Sequence, residues 1–140
     1  MRERRESVDS VEKPLTKGTE RILFVDDEAE LANLVEEALG FLGYEVLARI
    51  SATEALESFR AQPGRFDLVI TDYSMPQMTG ASLAEEMMRI RPDIPVILCT
   101  GFTERITEEE AMAMGIRAFV MKPLNIHDVA QTVRRVLDKK

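Results

Sequence analysis

Order along the chain begins at Arg21. "RILFVD" (21–26) is a short apolar run without period-2 alternation, the pattern of a strand buried on both faces. Leu31, Leu34, Val35, Ala38 and Leu39 then recur at i, i+3, i+4, i+7 and i+8, which predicts a helix with one apolar stripe. Gly40 and Gly43 stand where it stops, glycine being a natural helix terminator. "YEVLAR" predicts a second, weaker strand. "SATEALESF" opens a helix with Ser51 and, three residues on, Glu54, the spacing of a capping box, and turns Ala55, Leu56 and Phe59 inward.

The same alternation continues. "FDLVITD" predicts the third strand, and Leu83, Met87 and Ile90 mark one face of a helix ended by Arg91-Pro92. "PVILCT" predicts the fourth strand. "TEEEAMAMG" predicts a short helix, capped by Thr107 and Glu110 and stopped by Gly115, with the weakest apolar face of the set. "IRAFVMK" predicts the fifth strand, and Ile126, Val129, Val133, Val136 and Leu137 form the last helical stripe.

Five βα units imply parallel strands joined by right-handed crossovers, hence an open α/β sheet with helices on both faces. Ligands bind such sheets beyond the carboxyl ends of the strands. The strand ends are rich in chemistry. The first run ends in Asp26-Asp27-Glu28, the third in Asp72, the fourth in Thr100-Gly101 and the fifth in Lys122-Pro123.

Carboxylates gathered on one edge cannot share a small site alone. Two unit charges at ~4 Å repel by roughly 4 kcal/mol at an effective dielectric of 20. Either one protonates or a cation sits among them. All-oxygen ligands with positions left for water suit Mg2+, or Mn2+ in its place. A carboxylate so placed can attack phosphorus if the metal and an amine neutralise the incoming oxygens. Lys122 can supply that charge, and Thr100 a hydrogen bond to a phosphoryl oxygen. The chemistry implied is phosphoryl transfer to an aspartate.

"VDDE", "TDYSMPQMTG", "CTG" and "FVMKP" together resemble the response-regulator receiver domain of two-component signalling, over about residues 20–140. The resemblance implies a flavodoxin-like, doubly wound (βα)5 sheet of strand order 2-1-3-4-5. It implies Asp72 as phosphoacceptor, and Asp27, Asp26, Asp72 and the Ser74 backbone carbonyl as the metal's ligands, Asp26 partly through water. Lys122 would pair with the phosphoryl group, and Thr100, the Gly101 N–H and Ser74 would contact it. Thr100 and Phe119 would form the switch, Ser74 and Phe102 would tune the phosphoryl lifetime, and Lys122-Pro123 would be cis. A bulky Phe102 is expected to restrict attacking water. A phosphohistidine on a kinase or phosphotransfer protein would be the donor, and a downstream protein the target.

Each residue also has a plainer reading. Asp26-Asp27 can cap the first helix, Asp72 can cap a loop, Thr100 can form a turn before Gly101, Phe119 can be core, and Lys122 can lie on the surface. The methionines read as core and loop filler. Cys99 reads as inertly buried, and His127 as a surface residue. What favours the functional reading is convergence on one sheet edge.

Composition narrows the classes. The chain has 140 residues and a net charge of −7, which suits one domain and argues against binding nucleic acid through its own surface. The apolar runs are too short to cross a membrane. Residues 1–19 are polar and read as a flexible tail or linker ahead of a domain at 20–140, without a signal peptide. One cysteine excludes an internal disulfide, and the expected compartment is the cytoplasm.

Two rivals fit less well. An aspartate-dependent phosphohydrolase of the haloacid dehalogenase type needs a second Asp two residues after its nucleophile, where this sequence has Ala29 or Ser74. An FMN binder needs a phosphate cradle after the first strand, where "DDEAE" would repel the phosphate. Two contexts stay open: a stand-alone single-domain regulator, and the receiver of a hybrid sensor histidine kinase. "KPLTKGTERILFVDDE" resembles the linker after a kinase ATP-binding domain and favours the second.

Overall fold

The structure is a computed structural model and describes residues 16–139. Five parallel strands form one sheet: β1 (Arg21–Val25), β2 (Glu45–Arg49), β3 (Leu68–Asp72), β4 (Val96–Thr100) and β5 (Ala118–Met121). Their spatial order is β2-β1-β3-β4-β5. Helices α1 (Ala29–Phe41), α2 (Ala52–Ala61), α3 (Gly80–Ile90), α4 (Glu108–Ala113) and α5 (Ile126–Leu137) follow the strands in turn, with a 3-10 turn at Pro63–Arg65. This is the doubly wound flavodoxin-like (βα)5 sheet that the sequence led us to expect.

The unbroken apolar runs are explained by the two-sided core. Successive strand residues face opposite sides of a sheet. In β1, Ile22 and Phe24 join the core under α1 and α5. Leu23 and Val25 join the one under α2, α3 and α4. All four are fully buried, so no position in the run is left for a polar residue. β2, the weaker strand by sequence, is the sheet edge and is only half-buried.

Local chemistry sets the helix starts. Thr107 and Glu110 form both halves of the expected capping box on α4. At α2 the Ser51 hydroxyl accepts from the Glu54 N–H. Thr79 and Asn125 cap α3 and α5, accepting from Ser82 N–H and from the His127 and Asp128 N–H groups. α1 starts differently. Its cap position is Glu28, which makes no side-chain cap bond. Asp26 instead accepts from the Glu28 N–H at 2.9 Å. Neither Asp26 nor Asp27 caps the helix, so the plainer reading of that pair fails.

Most of the tail or linker expected at residues 1–19 falls outside the described residues, but 16–19 are held on the domain. Thr16 Oγ1 donates to the Ala130 carbonyl at 3.2 Å. Gly18 N–H donates to the Leu42 carbonyl at 3.1 Å. Arg134 reaches the Lys17 carbonyl, the Tyr44 hydroxyl and Glu20 together. At Gly43, φ is +106° and a Cβ would strike the Gly18 carbonyl oxygen. Glycine there serves both the turn and the close approach of the chain.

Candidate functional site

The carboxyl edge of the sheet collects the predicted groups. Asp26 follows β1 and is fully buried, and Asp72 ends β3 with 4% exposure. Asp27 stands beside them, exposed. One carboxylate oxygen from each of Asp26, Asp27 and Asp72 lies within 4.8 Å of the others. Lys122, directly after β5, places its Nζ 3.2 Å from Asp26 Oδ2 and 3.1 Å from Asp72 Oδ1. Its backbone N–H is bonded to the Thr100 carbonyl at 2.7 Å, which ties the lysine to the end of β4. The Lys122-Pro123 bond is cis, as the resemblance implied.

The electrostatics follow from burial. Burial pushes the Asp72 carboxyl up to about 6, helped by the Asp26 charge and opposed by the Lys122 ammonium. For Lys122, burial works against the charged form, but the Asp26 and Asp72 carboxylates outweigh it and hold its pKa above the usual range. One lysine therefore serves two buried carboxylates and leaves the set short of positive charge. Asp26 Oδ2 is buried and makes no hydrogen bond, although the ammonium is close. A buried carboxylate oxygen without a hydrogen bond is costly. This observation and the donor set fit a hard divalent cation such as Mg2+.

The other expected residues are dispersed around this cluster. Thr100 is buried, and its hydroxyl points to Met121 Sδ at 3.6 Å. Phe119, paired with Leu98 across the sheet, is half-buried against the core under α4. Gly101 is half-buried and Ser74 exposed, both in loops at this edge. Phe102 is 89% exposed, so no packing stands behind its expected role as a water shield. Cys99 is buried, and burial pushes its thiol up to about 12. It is inert, as expected.

Two contributors were missed by sequence reasoning. Glu28 Oε1 lies 3.8 Å from the Lys122 Nζ, a third acid around one amine. Gly80 opens α3 directly behind Asp72, where a Cβ would collide with the Asp72 carbonyl oxygen. Its N–H is bonded to the Tyr73 carbonyl at 2.7 Å. The available signal was its place at the end of "TDYSMPQMTG", but the close approach depends on how that loop folds back.

The family model for the response regulator receiver domain matches residues 22–134. This chain belongs to that family. The receiver is 32% identical over 123 residues to the sensor kinase CckA of Brucella abortus, covering 88% of this chain and 13% of that protein. It is 33% identical over 118 residues to the probable transcriptional regulator ycf27 of Porphyra purpurea, covering 84% of this chain and 47% of that protein. The chain thus spans less than half the length of either relative. Among solved structures, a receiver domain from Clostridium thermocellum superposes with a TM-score of 0.81 at 30% identity, covering 86% of this chain and 95% of that one. Both relatives carry this receiver inside a larger protein. Among the described residues, no helix is long and apolar enough to cross a membrane.

Proposed function

We propose that this receiver takes a phosphoryl group onto Asp72 from a phosphohistidine and signals by a change in its α4–β5–α5 surface. The observation that carries the reading is Lys122, whose ammonium stands between the buried carboxylates of Asp26 and Asp72 at 3.2 and 3.1 Å. An Asp72 carboxylate oxygen attacks phosphorus. The bond from phosphorus to the donor imidazole nitrogen breaks, and its electron pair stays on that nitrogen. Lys122 then meets a phosphoryl oxygen, and Thr100 and the Gly101 N–H donate to the others.

Asp26, Asp27, Asp72 and the Ser74 backbone carbonyl would hold Mg2+, which neutralises charge on the transferring group. The partners in this reading are a histidine kinase or phosphotransfer protein as donor and a downstream protein as target, in the cytoplasm. The switch follows from charge. A phosphoryl group adds nearly two negative charges at Asp72. Thr100 leaves Met121 Sδ for it, and Phe119 turns into the space behind. A small acyl phosphate with Mg2+ tests the site itself. The phosphorylated peptide is expected to contain Asp72 and to lose its phosphoryl group to hydroxylamine, as an acyl phosphate must. A modified peptide elsewhere would contradict the assignment.

A further inference from the structure

Thr100 is 1% exposed at the end of β4, and its hydroxyl donates to Met121 Sδ at 3.6 Å. A buried hydroxyl needs a partner. The partner here is a thioether, which is only a weak acceptor. Nor is Met121 core filler. It ends the edge strand β5 and is 43% exposed.

Strand register brings the two together. Thr100 stands opposite Met121 across the β4–β5 ladder, as Leu98 stands opposite Phe119. Residues two apart on a strand share a face. Thr100, Met121 and Phe119 therefore lie on the face whose core, with Leu98 and Phe119, packs under α2, α3 and α4. On its other side β4 pairs with β3, where Asp72 is opposite Cys99, the residue before Thr100. Thr100 thus ends the strand that separates Asp72 from Met121. Its β-branched side chain has few staggered positions to choose from, so a turn about Cα–Cβ moves the hydroxyl in one discrete step.

We propose that Met121 is a positioning residue for the switch, a role that rests on Asp72 being the phosphoacceptor and Thr100 its partner. The Met121 sulfur holds the Thr100 hydroxyl toward β5 while Asp72 is unmodified, and the strength of this bond sets how readily the receiver switches. A weak acceptor suits the part. It keeps the buried hydroxyl satisfied, yet a charged phosphoryl oxygen makes a hydrogen bond roughly twice as strong as a neutral one and takes the hydroxyl away. A backbone carbonyl in the place of the sulfur would hold Thr100 more firmly and oppose the switch. Since Thr100 must leave Met121 to reach the phosphoryl group, the bond is subtracted from the affinity of any group on Asp72 that draws Thr100 to it.

The test uses the full chain, Mg2+ and beryllofluoride, which binds a carboxylate oxygen in the place of a phosphoryl group. Met121→Leu nearly conserves volume at a partly exposed position and removes the acceptor. It is expected to tighten beryllofluoride binding by roughly 2- to 5-fold, the range of one neutral hydrogen bond. In a Thr100→Val background, which lacks the hydroxyl, the same substitution is expected to leave the affinity unchanged, whereas an effect of packing would persist. A second readout needs no ligand. Three-bond couplings to the Thr100 methyl report its χ1, and are expected to show one rotamer in the parent and a mixture in Met121→Leu. An unchanged rotamer, no gain in affinity, or an equal gain in the Thr100→Val background overturns the proposal. If beryllofluoride does not bind even the parent, the phosphoacceptor reading falls, and the rotamer alone decides whether Met121 holds Thr100.

Discussion

At the scale of residues, the site is a buried charge imbalance held by one amine. Asp72 is protonated more readily in the folded chain than in the unfolded one, because its pKa rises from 3.8 to about 6. Between those values the native state binds the extra proton, so stability falls as pH rises through the window and stays low above it. Asp72→Asn removes that cost. In urea melts with a chelator, the variant is expected to be more stable than the parent at pH 7.5 by on the order of 1–3 kcal/mol. Near pH 3.5 the two are expected to coincide. Lys122→Ala acts in the opposite direction. It leaves Asp26, fully buried, facing Asp72 with no cation between. Its expected cost near pH 7.5 is about 3 kcal/mol, shrinking toward pH 5 as Asp72 takes up its proton. Equal melts at both pH values would show that Lys122 does not pair with these acids.

Residues at this scale were legible where the strand fixes the position. Asp26, Asp72, Thr100 and Lys122 each end or follow an apolar run, and such a run has one carboxyl end. Glu28 and Gly80 were not assigned roles because their places depend on loops. The reach of Glu28 to Lys122 needs the turn into α1, and the contact of Gly80 with Asp72 needs the fold of residues 73–79. The Gly80 contact has a direct consequence. Gly80→Ala puts a methyl group into the Asp72 carbonyl, and is expected to cost roughly 1–3 kcal/mol in a denaturant melt while displacing the β3 end. A fully stable Gly80→Ala variant would contradict the close approach.

Among the elements, α4 and α5 differ most in how firmly they are held. α4 has six residues, of which Ala111 alone is buried. An element with so little apolar contact opens or shifts at small cost. A swing from 1:99 to 99:1 between two states needs roughly 5.5 kcal/mol of differential stabilisation. Charge-assisted bonds from a phosphoryl group to Lys122 and Thr100 are of the right order for much of it. Amide exchange across Glu108–Ala113 is therefore expected to change on phosphorylation more than exchange in α1 or α2. No change in α4 would contradict a switch through that helix.

α5 is anchored by contrast. Val129, Val133, Val136 and Leu137 are buried as the stripe implied, and Arg134 ties its outer side to Glu20 at 2.8 Å and to Asp138. The Arg134 hydrogen bond holds the Glu20 carboxyl down at about 2. Its contribution is present above the unfolded value of 4.5 and is lost as pH falls toward 2. Both side chains are partly solvated, so a double-mutant cycle of Glu20→Gln and Arg134→Ala is expected to give about 1 kcal/mol of coupling at pH 7 and none at pH 2. The Arg134 network was not legible beforehand. Charged residues around a helix read as a solvated face, and nothing local marks one of them as a clasp for a segment more than a hundred positions away.

For the whole molecule, architecture was the most legible level. Two-sided burial forces uninterrupted apolar strands, amphipathic helices must alternate with them, and together these specify a parallel sheet. The order of the strands came from resemblance and not from pattern, because β1 past Arg21, β3 and β4 are equally buried and each fits any interior slot by burial alone. The boundary of the domain was the least legible feature. Residues 16–19 look polar and linker-like, yet backbone hydrogen bonds and the Arg134 clasp hold them in place. The acidic balance of the chain has its counterpart in the site, where three carboxylates face one lysine.

The claim at the centre of this account is that Asp72 accepts a phosphoryl group in a site completed by a divalent cation. Intact mass of the protein after incubation with acetyl phosphate and Mg2+ measures it most directly, beside Asp72→Asn and a chelated sample. One added phosphoryl group in the parent, and none in either control, is the expected result. An unmodified parent that still binds Mg2+, or an Asp72→Asn variant modified as fully as the parent, would contradict it.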